Sequence, residues 1–309
     1  MNRCPITYKP CGDNRYSEEG LKKLAPNLKD LAELPLTKEE QVREAAERAD
    51  KMSIQGVQPK LSARLIAARG KFEIVNIHGT FILKPQNVIY PELPENESLS
   101  MKLAEAAGIE TPLNGLVYSK DGSRTYFVKR FDRYGRNKKL ALEDFAQLAG
   151  KNRDTKYDSS LEKIVEIVDE YCTFPILEKI ELFKRVLFNY IIGNEDMHLK
   201  NYSLITIDGT VKLAPAYDFV NTTVALKNPR EESALPLRGR KSRINRSDLL
   251  DYLAGEKMGL NEKQINSVNT SLVNSISKWK KLISVSFLSA EMKLKYENLL
   301  NNRKEKLNF

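Results

Sequence analysis

The residues best suited to chemistry lie between Ile191 and Phe219. Asp196 is followed five residues later by Asn201, and Asp218 comes after two apolar runs joined by an Asp-Gly turn. Phosphoryl transfer uses such a set, because one acid orients the attacking hydroxyl while an amide and a second acid hold Mg²⁺ on the phosphates. The simpler alternative is that Asp196 and Asn201 cap a turn and that Asp218 is a surface acid.

These groups can converge only if buried elements hold them. Apolar residues recur at helical spacing across residues 176–192, which predicts a buried helix ending at Gly193. The stretch 203–214 predicts a hairpin that carries the chain to Asp218. The order acid, amide, acid is that of the catalytic loop and metal motif of protein kinases. The pattern therefore favours an ATP- and Mg²⁺-dependent protein kinase.

A kinase also needs a strand lysine and a loop that covers the phosphates. Lys84 ends the strand-like run TFILK, where it could reach the phosphates or could be a solvated gatekeeper. Glu97 could pair with Lys84, or could simply favour the start of its helix. The polar segment SIQGVQPK, residues 53–60, precedes the first strand at the place of the phosphate-covering loop.

Strand-like runs dominate the first part of the chain and helical periodicity the second. Runs at 61–68, 71–77 and 80–84 predict an antiparallel meander, and 115–119 and 124–131 predict two more strands. Helices are predicted at 38–51 (after a capping box at Thr37), 96–107, 143–149, 159–171 (after a capping box at Ser159), 176–192, 247–254, 262–278 and 289–304. The predicted class is α+β, a two-lobed protein-kinase-like fold with a strand-rich lobe at 1–132 and a helical lobe at 133–309.

Composition narrows the function further. The chain has 309 residues, 41% of them hydrophobic, and a formal net charge of +9, which suggests an anionic partner or simply a basic surface. Three cysteines and two histidines make a disulfide framework or a His-based metal cluster unexpected. Neither a signal peptide nor a membrane span is predicted, so a cytoplasmic protein, or one delivered into another cell, is expected. The alternative function is a non-catalytic module that binds nucleotides or nucleic acid.

Several segments together resemble the HipA-type serine/threonine kinases, the toxins of bacterial toxin–antitoxin modules. The resemblance covers roughly residues 52–220 and follows the order of that family. The matching segments are SIQGVQPKLS, FILKP, NESLSMKLAEAAGIETP, VKRFDR, GNEDMHLKNYSL and LAPAYDF.

The resemblance implies roles for individual residues. Asp196 matches the catalytic acid, Asn201 and Asp218 match the Mg²⁺ ligands, and Lys84 matches the phosphate-binding lysine. Ser53 falls where the family carries a serine that phosphorylates itself and so inhibits the kinase.

The adenosine end of ATP is assigned in the same way. Lys129 to Phe131 matches the hinge whose backbone holds adenine, and Asp132 matches the acid near the ribose. His198 could order the catalytic loop by hydrogen bonds or could take part in catalysis. The full set of expected ATP-binding residues is Lys84, Ser53, Gly56, Gln58, Lys60, Glu97, Lys129, Phe131, Asp132 and His198.

The resemblance also implies partners. It is closest to a compact, HipT-like branch that lacks an extra N-terminal subdomain, in which the missing piece is a separate small protein. Antitoxin proteins and a phosphorylated translation component, such as an aminoacyl-tRNA synthetase, are expected. The basic segment LRGRKSRINR, Leu235 to Arg246, could grip an acidic or tRNA-bearing target, or could be a solvated loop. Whether the chain binds nucleic acid directly stays open.

Overall fold

A computed structural model describes residues 2–49, 58–87, 89–135, 137–152, 154–226 and 229–309. The described residues form two compact units. The sheet unit consists of the described residues of Met1–Leu99, Pro112–Asn137 and Ser284–Leu288. The helical unit consists of those of Ser100–Thr111, Lys138–Ile283 and Ser289–Phe309. The lobe limits given above, at residues 132 and 133, stay a prediction.

The strands are short and most of them belong to antiparallel ladders. In chain order they are β1 (Asn2–Arg3), β2 (Pro10–Gly12), β3 (Leu61–Ile66), β4 (Lys71–Ile74), β5 (Phe81–Lys84), β6 (Asn114–Tyr118), β7 (Arg124–Lys129), β8 (Arg133–Tyr134), β9 (Lys138–Lys139), β10 (Ala141–Asp144), β11 (Ser203–Ile207) and β12 (Thr210–Leu213).

The helices are concentrated in the second part of the chain. They are α1 (Glu18–Leu24), α2 (Lys38–Ala49), α3 (Leu93–Ala106), α4 (Phe145–Leu148), α5 (Leu161–Tyr171), α6 (Pro175–Ile192), α7 (Thr222–Ala225), α8 (Glu262–Val285) and α9 (Ala290–Leu307). Single 3₁₀ turns lie at Ala67–Arg69 and Leu199–Asn201, and Asp248–Lys257 winds as a wider π-type helix. Within the described ranges, no helix combines the length and the apolar character needed to cross a membrane.

The main sheet of the sheet unit has five antiparallel strands in the order β4-β3-β5-β7-β6. The predicted meander is therefore wrong, because β3 pairs with both β4 and β5. The connection from β4 folds back across β3, where Val75 donates to the carbonyl of Ser62 and Thr80 to that of Ala63. Gly79 lies so close that a Cβ there would meet the Ser62 hydroxyl, so this crossing needs glycine.

One hydrophobic core supports this sheet. Phe72, Phe81 and Phe127 pack edge to face or tilted, with ring centroids 5.1–6.1 Å apart. The predicted capping box before α2 is confirmed. The Thr37 amide donates to the Glu40 carboxylate at 2.7 Å, and the Glu40 amide donates to the Thr37 hydroxyl at 3.2 Å.

The helical unit is built around α6. Its second half is buried, and Pro175 occupies its first turn, where the missing amide hydrogen costs no hydrogen bond. The bounds of this helix, to within one residue, and the hairpin of β11 and β12 are as predicted. The prediction that the whole helix is buried is wrong, because Ile176 in its first turn is 43% exposed. Trp279 is buried and donates to the carbonyl of Leu103 at 2.9 Å, as expected of a residue that packs a helix.

Three local predictions in this unit are corrected. The helix expected at 143–149 is shorter, because Asp144 ends β10, which pairs with β11, and caps α4 through the Gln147 amide. The cap of α5 is Ser160 rather than Ser159, since the Ser160 hydroxyl accepts from the Lys163 amide. The helix expected at 247–254 runs to Lys257, and it is a π-helix, in which hydrogen bonds join residues five positions apart instead of four.

Candidate active site

The end of α6 fixes the start of the candidate catalytic loop, residues 194–201. Gly193 ends the helix in the left-handed conformation, with φ of 71°. Its carbonyl accepts hydrogen bonds from the Thr222 hydroxyl at 3.2 Å and the Thr223 amide at 3.1 Å. The Thr222 hydroxyl in turn accepts from the Glu195 amide at 2.6 Å. The loop is thus tied to α7, which follows the predicted metal motif.

A side chain at Gly193 would disturb this junction. An added Cβ would lie 2.5 Å from a Leu299 methyl carbon and 2.7 Å from the Thr223 hydroxyl. Gly108 is a matched control, because its φ is 74° but a Cβ there would meet nothing within 4 Å. We expect Gly108→Ala to cost about 1–2 kcal/mol of unfolding free energy for the left-handed backbone, and Gly193→Ala about 1–3 kcal/mol more for the clash. Urea unfolding of both variants measures the difference; equal losses would contradict it.

Hydrogen bonds inside the loop bring Asp196 and Asn201 together. The backbone carbonyl of Asp196 accepts from the Asn201 side-chain amide at 3.0 Å and from the His198 amide at 2.8 Å. The Asp196 amide donates to the Asn194 side-chain oxygen at 3.1 Å. The amide nitrogen of Asn201 is therefore engaged, so its side-chain oxygen is the atom left to act as a metal ligand.

The segment that carries Asp218 is attached to the same loop. The Tyr217 hydroxyl donates to the carbonyl of Lys200 at 3.1 Å, and Phe219 packs on Phe188 with ring centroids 5.0 Å apart. Asp218 itself has φ of 58°, a conformation that is uncommon for a residue other than glycine. Such backbone strain is concentrated at functional sites. A direct hydrogen bond thus links Tyr217 and Lys200, the residues that precede the expected metal ligands Asp218 and Asn201.

The donor set fits magnesium. Asn201 and Asp218 offer an amide oxygen and a carboxylate, the hard oxygen ligands that Mg²⁺ prefers. Among the residues that the structure describes, no group of three or more His, Cys, Asp or Glu residues could hold a metal. Two protein ligands suit Mg²⁺ in a nucleotide site, because it takes its other ligands from phosphates and water.

His198 lies inside this cluster and is 6% exposed. Burial lowers the pKa of His198 to about 4; the charge of Lys156 lowers it too, while Asp196 and Asp218 act in the opposite direction. The ring nitrogen Nε2 is 2.7 Å from the Lys156 ammonium, which has only protons to donate. His198 is therefore a neutral acceptor near pH 7, which favours the loop-ordering role over proton transfer.

The lowered pKa predicts how stability depends on pH. The unfolded chain protonates His198 near pH 6.5, whereas the folded chain resists protonation until about pH 4. The stability that depends on a neutral His198 is fully present above pH 6.5 and is lost as the pH falls to 4. The loss amounts to about 3 kcal/mol of unfolding free energy. We expect His198→Asn to flatten the decline in unfolding free energy between pH 7 and 4.5. The exposed His78→Asn is the control, and an unchanged slope in His198→Asn would contradict the prediction.

Two functional candidates, Tyr157 and Lys156, could not be predicted from the sequence. Tyr157 donates a hydrogen bond to Oδ1 of Asp196, and Lys156 contacts His198. Both lie in the polar stretch before α5, which has no periodicity or motif that could have revealed them. Their importance depends on a contact across about forty residues of chain.

In the sheet unit, Lys84 and Glu97 form a buried ion pair. The ammonium and a carboxylate oxygen are 2.5 Å apart, and the residues are 2% and 0% exposed. The ammonium also lies 5.6 Å from the centre of the Tyr126 ring. Lys84 is therefore not a solvated gatekeeper, and Glu97 does more than favour a helix start.

The expected hinge begins at Lys129, the last residue of β7. The Lys129 amide donates to the carbonyl of Leu113, and the Arg130 amide donates to that of Thr80, each at 2.8 Å. Asp132 is buried and accepts two hydrogen bonds from the Arg130 guanidinium and one from Arg133. Burial alone would raise the pKa of Asp132, but the two arginines outweigh it and hold this pKa below its usual value.

The structure describes some of the remaining expected ATP-binding residues and not others. Ser53 and Gly56 lie outside the described residues. Gln58 and Lys60 are half-buried just before β3, and Phe131 is half-buried beside Asp132. The structure thus gathers Asp196, His198, Asn201 and Asp218 in the helical unit, and it pairs Lys84 with Glu97 in the sheet unit.

A five-stranded antiparallel sheet with a buried Lys–Glu pair, and a helical unit with an acid, amide and acid around one loop, define a kinase-like protein. Residues 52–280 match the family described as HipA-like C-terminal domain. The chain belongs to this family. The prediction of a kinase is confirmed by this match and by the relatives described next, and the α+β, two-lobed kinase-like fold class by a solved structure.

Individual relatives agree with this assignment. A putative kinase of Haemophilus influenzae is 30% identical over 93% of this chain and 92% of its own length. The serine/threonine-protein kinase toxin HipA of Shewanella oneidensis is 27% identical over 55% of this chain, which spans 43% of that protein. The solved Shewanella oneidensis HipA, in complex with HipB and operator DNA, superposes with a TM-score of 0.70 at 21% identity. That superposition covers 91% of this chain and 74% of that one.

Proposed function

We propose that the protein transfers the γ-phosphate of ATP to serine or threonine hydroxyls of a protein target, with Mg²⁺ as cofactor. The observation that carries this proposal is the single hydrogen-bonded neighbourhood of Asp196, Asn201 and Asp218 in the helical unit. A non-catalytic module would have no need of a strained acid beside an exposed acid and an oriented amide.

Each residue has a defined part in the proposed reaction. Asp196 is exposed, so its carboxylate can accept a hydrogen bond and then the proton from the acceptor hydroxyl. Asn201 and Asp218 hold Mg²⁺, which neutralises charge on the phosphates when it is bound. Because the chemistry of phosphoryl transfer is mostly positioning and electrostatics, these roles need fixed geometry more than reactive groups.

The sheet unit supplies the nucleotide contacts in this proposal. Lys84 binds the phosphates and is kept in place by Glu97, as the buried 2.5 Å pair suggests. The backbone from Lys129 to Phe131 binds adenine. Asp132 accepts from a ribose hydroxyl while keeping its arginine partners, since a carboxylate can accept about four hydrogen bonds.

Membership of the family supports proposals for regulation and partners. We infer that Ser53 is an autophosphorylation site whose added negative charge switches the kinase off. We also infer a role as the toxin of a toxin–antitoxin pair, with a translation component such as an aminoacyl-tRNA synthetase as target. The Shewanella oneidensis neighbour was solved with HipB and operator DNA, which supports an antitoxin partner for this chain. A separate small protein that replaces the extra N-terminal subdomain is a second expected partner.

The test is transfer of labelled phosphate. The full chain is incubated with [γ-³²P]ATP, Mg²⁺ and dephosphorylated casein, and the labelled proteins are separated and hydrolysed for phosphoamino acid analysis. We expect phosphoserine or phosphothreonine, no label after EDTA is added, and a loss of about 10²-fold or more in Asp218→Asn. Asp208→Asn is the matched control, because the backbone of Asp208 also has the left-handed conformation but its side chain lies exposed in the hairpin turn.

Two results would overturn the proposal. One is the absence of labelled protein at any ATP concentration; the other is equal labelling by wild type and Asp218→Asn. To identify the target, phosphopeptides are compared in a bacterial lysate treated with wild type or with Asp218→Asn. Sites that appear only with wild type give the substrate, and the peptide that contains Ser53 tests autophosphorylation.

A further inference from the structure

The loop before α5 reaches the candidate active site with a side chain that no motif assigns. Residues 154–160 begin with a turn and end at Ser160, the cap of α5. The Asp158 amide donates to the carbonyl of Thr155 at 2.9 Å, and the Ser160 hydroxyl accepts from the Lys163 amide at 3.2 Å. Local hydrogen bonds therefore hold both ends of the segment.

The middle of this segment is fastened to the catalytic loop. The carbonyl of Lys156 accepts from the Leu199 amide at 3.3 Å, and the Lys156 ammonium lies 2.7 Å from Nε2 of His198. One backbone contact and one side-chain contact fix Lys156, so its neighbour Tyr157 has a defined position relative to the loop.

The ring of Tyr157 is held on several sides. It meets the His198 ring edge to face, with centroids 5.1 Å apart and planes at 83°. The ammonium groups of Lys156 and Lys241 lie 4.9 Å and 5.7 Å from its centre. Aromatic and cation–π contacts of this kind stabilise one ring orientation. The hydroxyl is therefore aimed, and what it reaches is Oδ1 of Asp196.

We propose that Tyr157 is a positioning residue that holds the Asp196 carboxylate in the orientation needed to receive the proton of the acceptor hydroxyl. This inference rests on the proposed function and deepens it. The backbone of Asp196 is fixed by its own loop, but Tyr157 provides the one hydrogen bond to its carboxylate within the described part of the chain.

The bond leaves room for substrate. Oδ2 of Asp196 has no hydrogen-bond partner among the described residues, and the side chain is exposed, so an acceptor hydroxyl can bind there. In the reaction the acceptor oxygen bonds to the γ-phosphorus, and the bond to the β–γ bridging oxygen breaks. ADP leaves with that electron pair, and the hydroxyl proton passes to Asp196.

Tyr157 keeps its own proton throughout. Partial burial raises the pKa of the Tyr157 hydroxyl, and the hydrogen bond to Asp196 raises it further, so the group remains a neutral donor. A neutral donor aligns a carboxylate without cancelling its charge, whereas a lysine or arginine in the same place would form an ion pair with the base.

The test compares Tyr157→Phe with Tyr171→Phe. Phenylalanine keeps the ring packing and removes only the hydroxyl, and Tyr171 matches Tyr157 in exposure, at 39% against 38%. The rate of ³²P transfer from ATP is measured against ATP concentration, with dephosphorylated casein and the chain itself as acceptors. We expect Tyr157→Phe to lower the maximal rate about 10–100-fold for both acceptors, because misaligned reacting groups cost rates of this order. The half-saturating ATP concentration should not change, and Tyr171→Phe should behave as wild type.

A purely structural role for Tyr157 would not lower the maximal rate while leaving the half-saturating ATP concentration unchanged. Loss of folding in Tyr157→Phe would lower the melting temperature and raise the half-saturating ATP concentration. Either an unchanged maximal rate or a faster one would overturn the inference; the faster rate would mean that Tyr157 blocks the acceptor position. Failure of wild type to label any protein would instead overturn the proposed kinase function, so the two failures are distinguishable.

Discussion

Asp196→Asn should lower phosphate transfer by about 10³-fold or more while leaving the fold intact. The carboxylate is the exposed acid of the cluster, and it is the group proposed to take the proton of the acceptor hydroxyl. Asparagine has the same shape and keeps an oxygen that can accept from Tyr157, but it carries no charge and cannot take the proton. Single-turnover labelling with [γ-³²P]ATP over long incubations measures the residual rate.

Two controls make this result specific. Asp251→Asn removes an exposed acid from the same unit and should leave the rate unchanged. The melting temperature of Asp196→Asn should stay within a few degrees of wild type, since the backbone bonds of the loop do not use the carboxylate. A labelling rate within about tenfold of wild type would remove Asp196 from the chemistry and would leave it as a turn residue.

The sequence was most informative where the physical signal is local. Apolar residues recur at helical spacing along α6, so both the helix and its end at Gly193 could be predicted, although the buried residues are confined to its second half. The Asp-Gly turn of the β11–β12 hairpin and the cap at Thr37 also depend on residues within a few positions. The positions of the candidate acids could be predicted for the same reason, because Asp196 follows α6 and Asp218 follows the β11–β12 hairpin.

Contacts between distant parts of the chain could not be predicted. The order of the sheet depends on which strands pair, and here both β4 and β5 pair with β3. Short apolar runs in the sequence do not determine this pairing. Arg130 and Arg133 lie in a polar, basic stretch of sequence with no sign of burial, yet they neutralise a buried Asp132. Tyr157 is the clearest case, since its meaning depends wholly on a partner on another element.

The Lys84–Glu97 pair offers a test that separates stability from function. Its side chains are 3% and 0% exposed, so replacing one of them takes an opposite charge away from a buried ionic group. Glu97→Gln and Lys84→Met should each lose about 3–5 kcal/mol of unfolding free energy. Phosphate transfer should also fall in both, because Lys84 is either absent or no longer held in place. Urea unfolding and labelling of the same preparations measure the two effects.

The double variant Lys84→Met/Glu97→Leu carries the decisive comparison. Apolar groups of similar volume remove both buried charges, and such replacements are often neutral or stabilising by about 1–4 kcal/mol. We therefore expect the double variant to recover most of the lost stability while labelling stays as low as in Lys84→Met. The exposed pair of Arg64 and Glu73, with side chains 51% and 41% exposed, is the control; Glu73→Gln should cost less than about 1 kcal/mol. If labelling returned together with stability, the pair would be structural and another group would bind the phosphates.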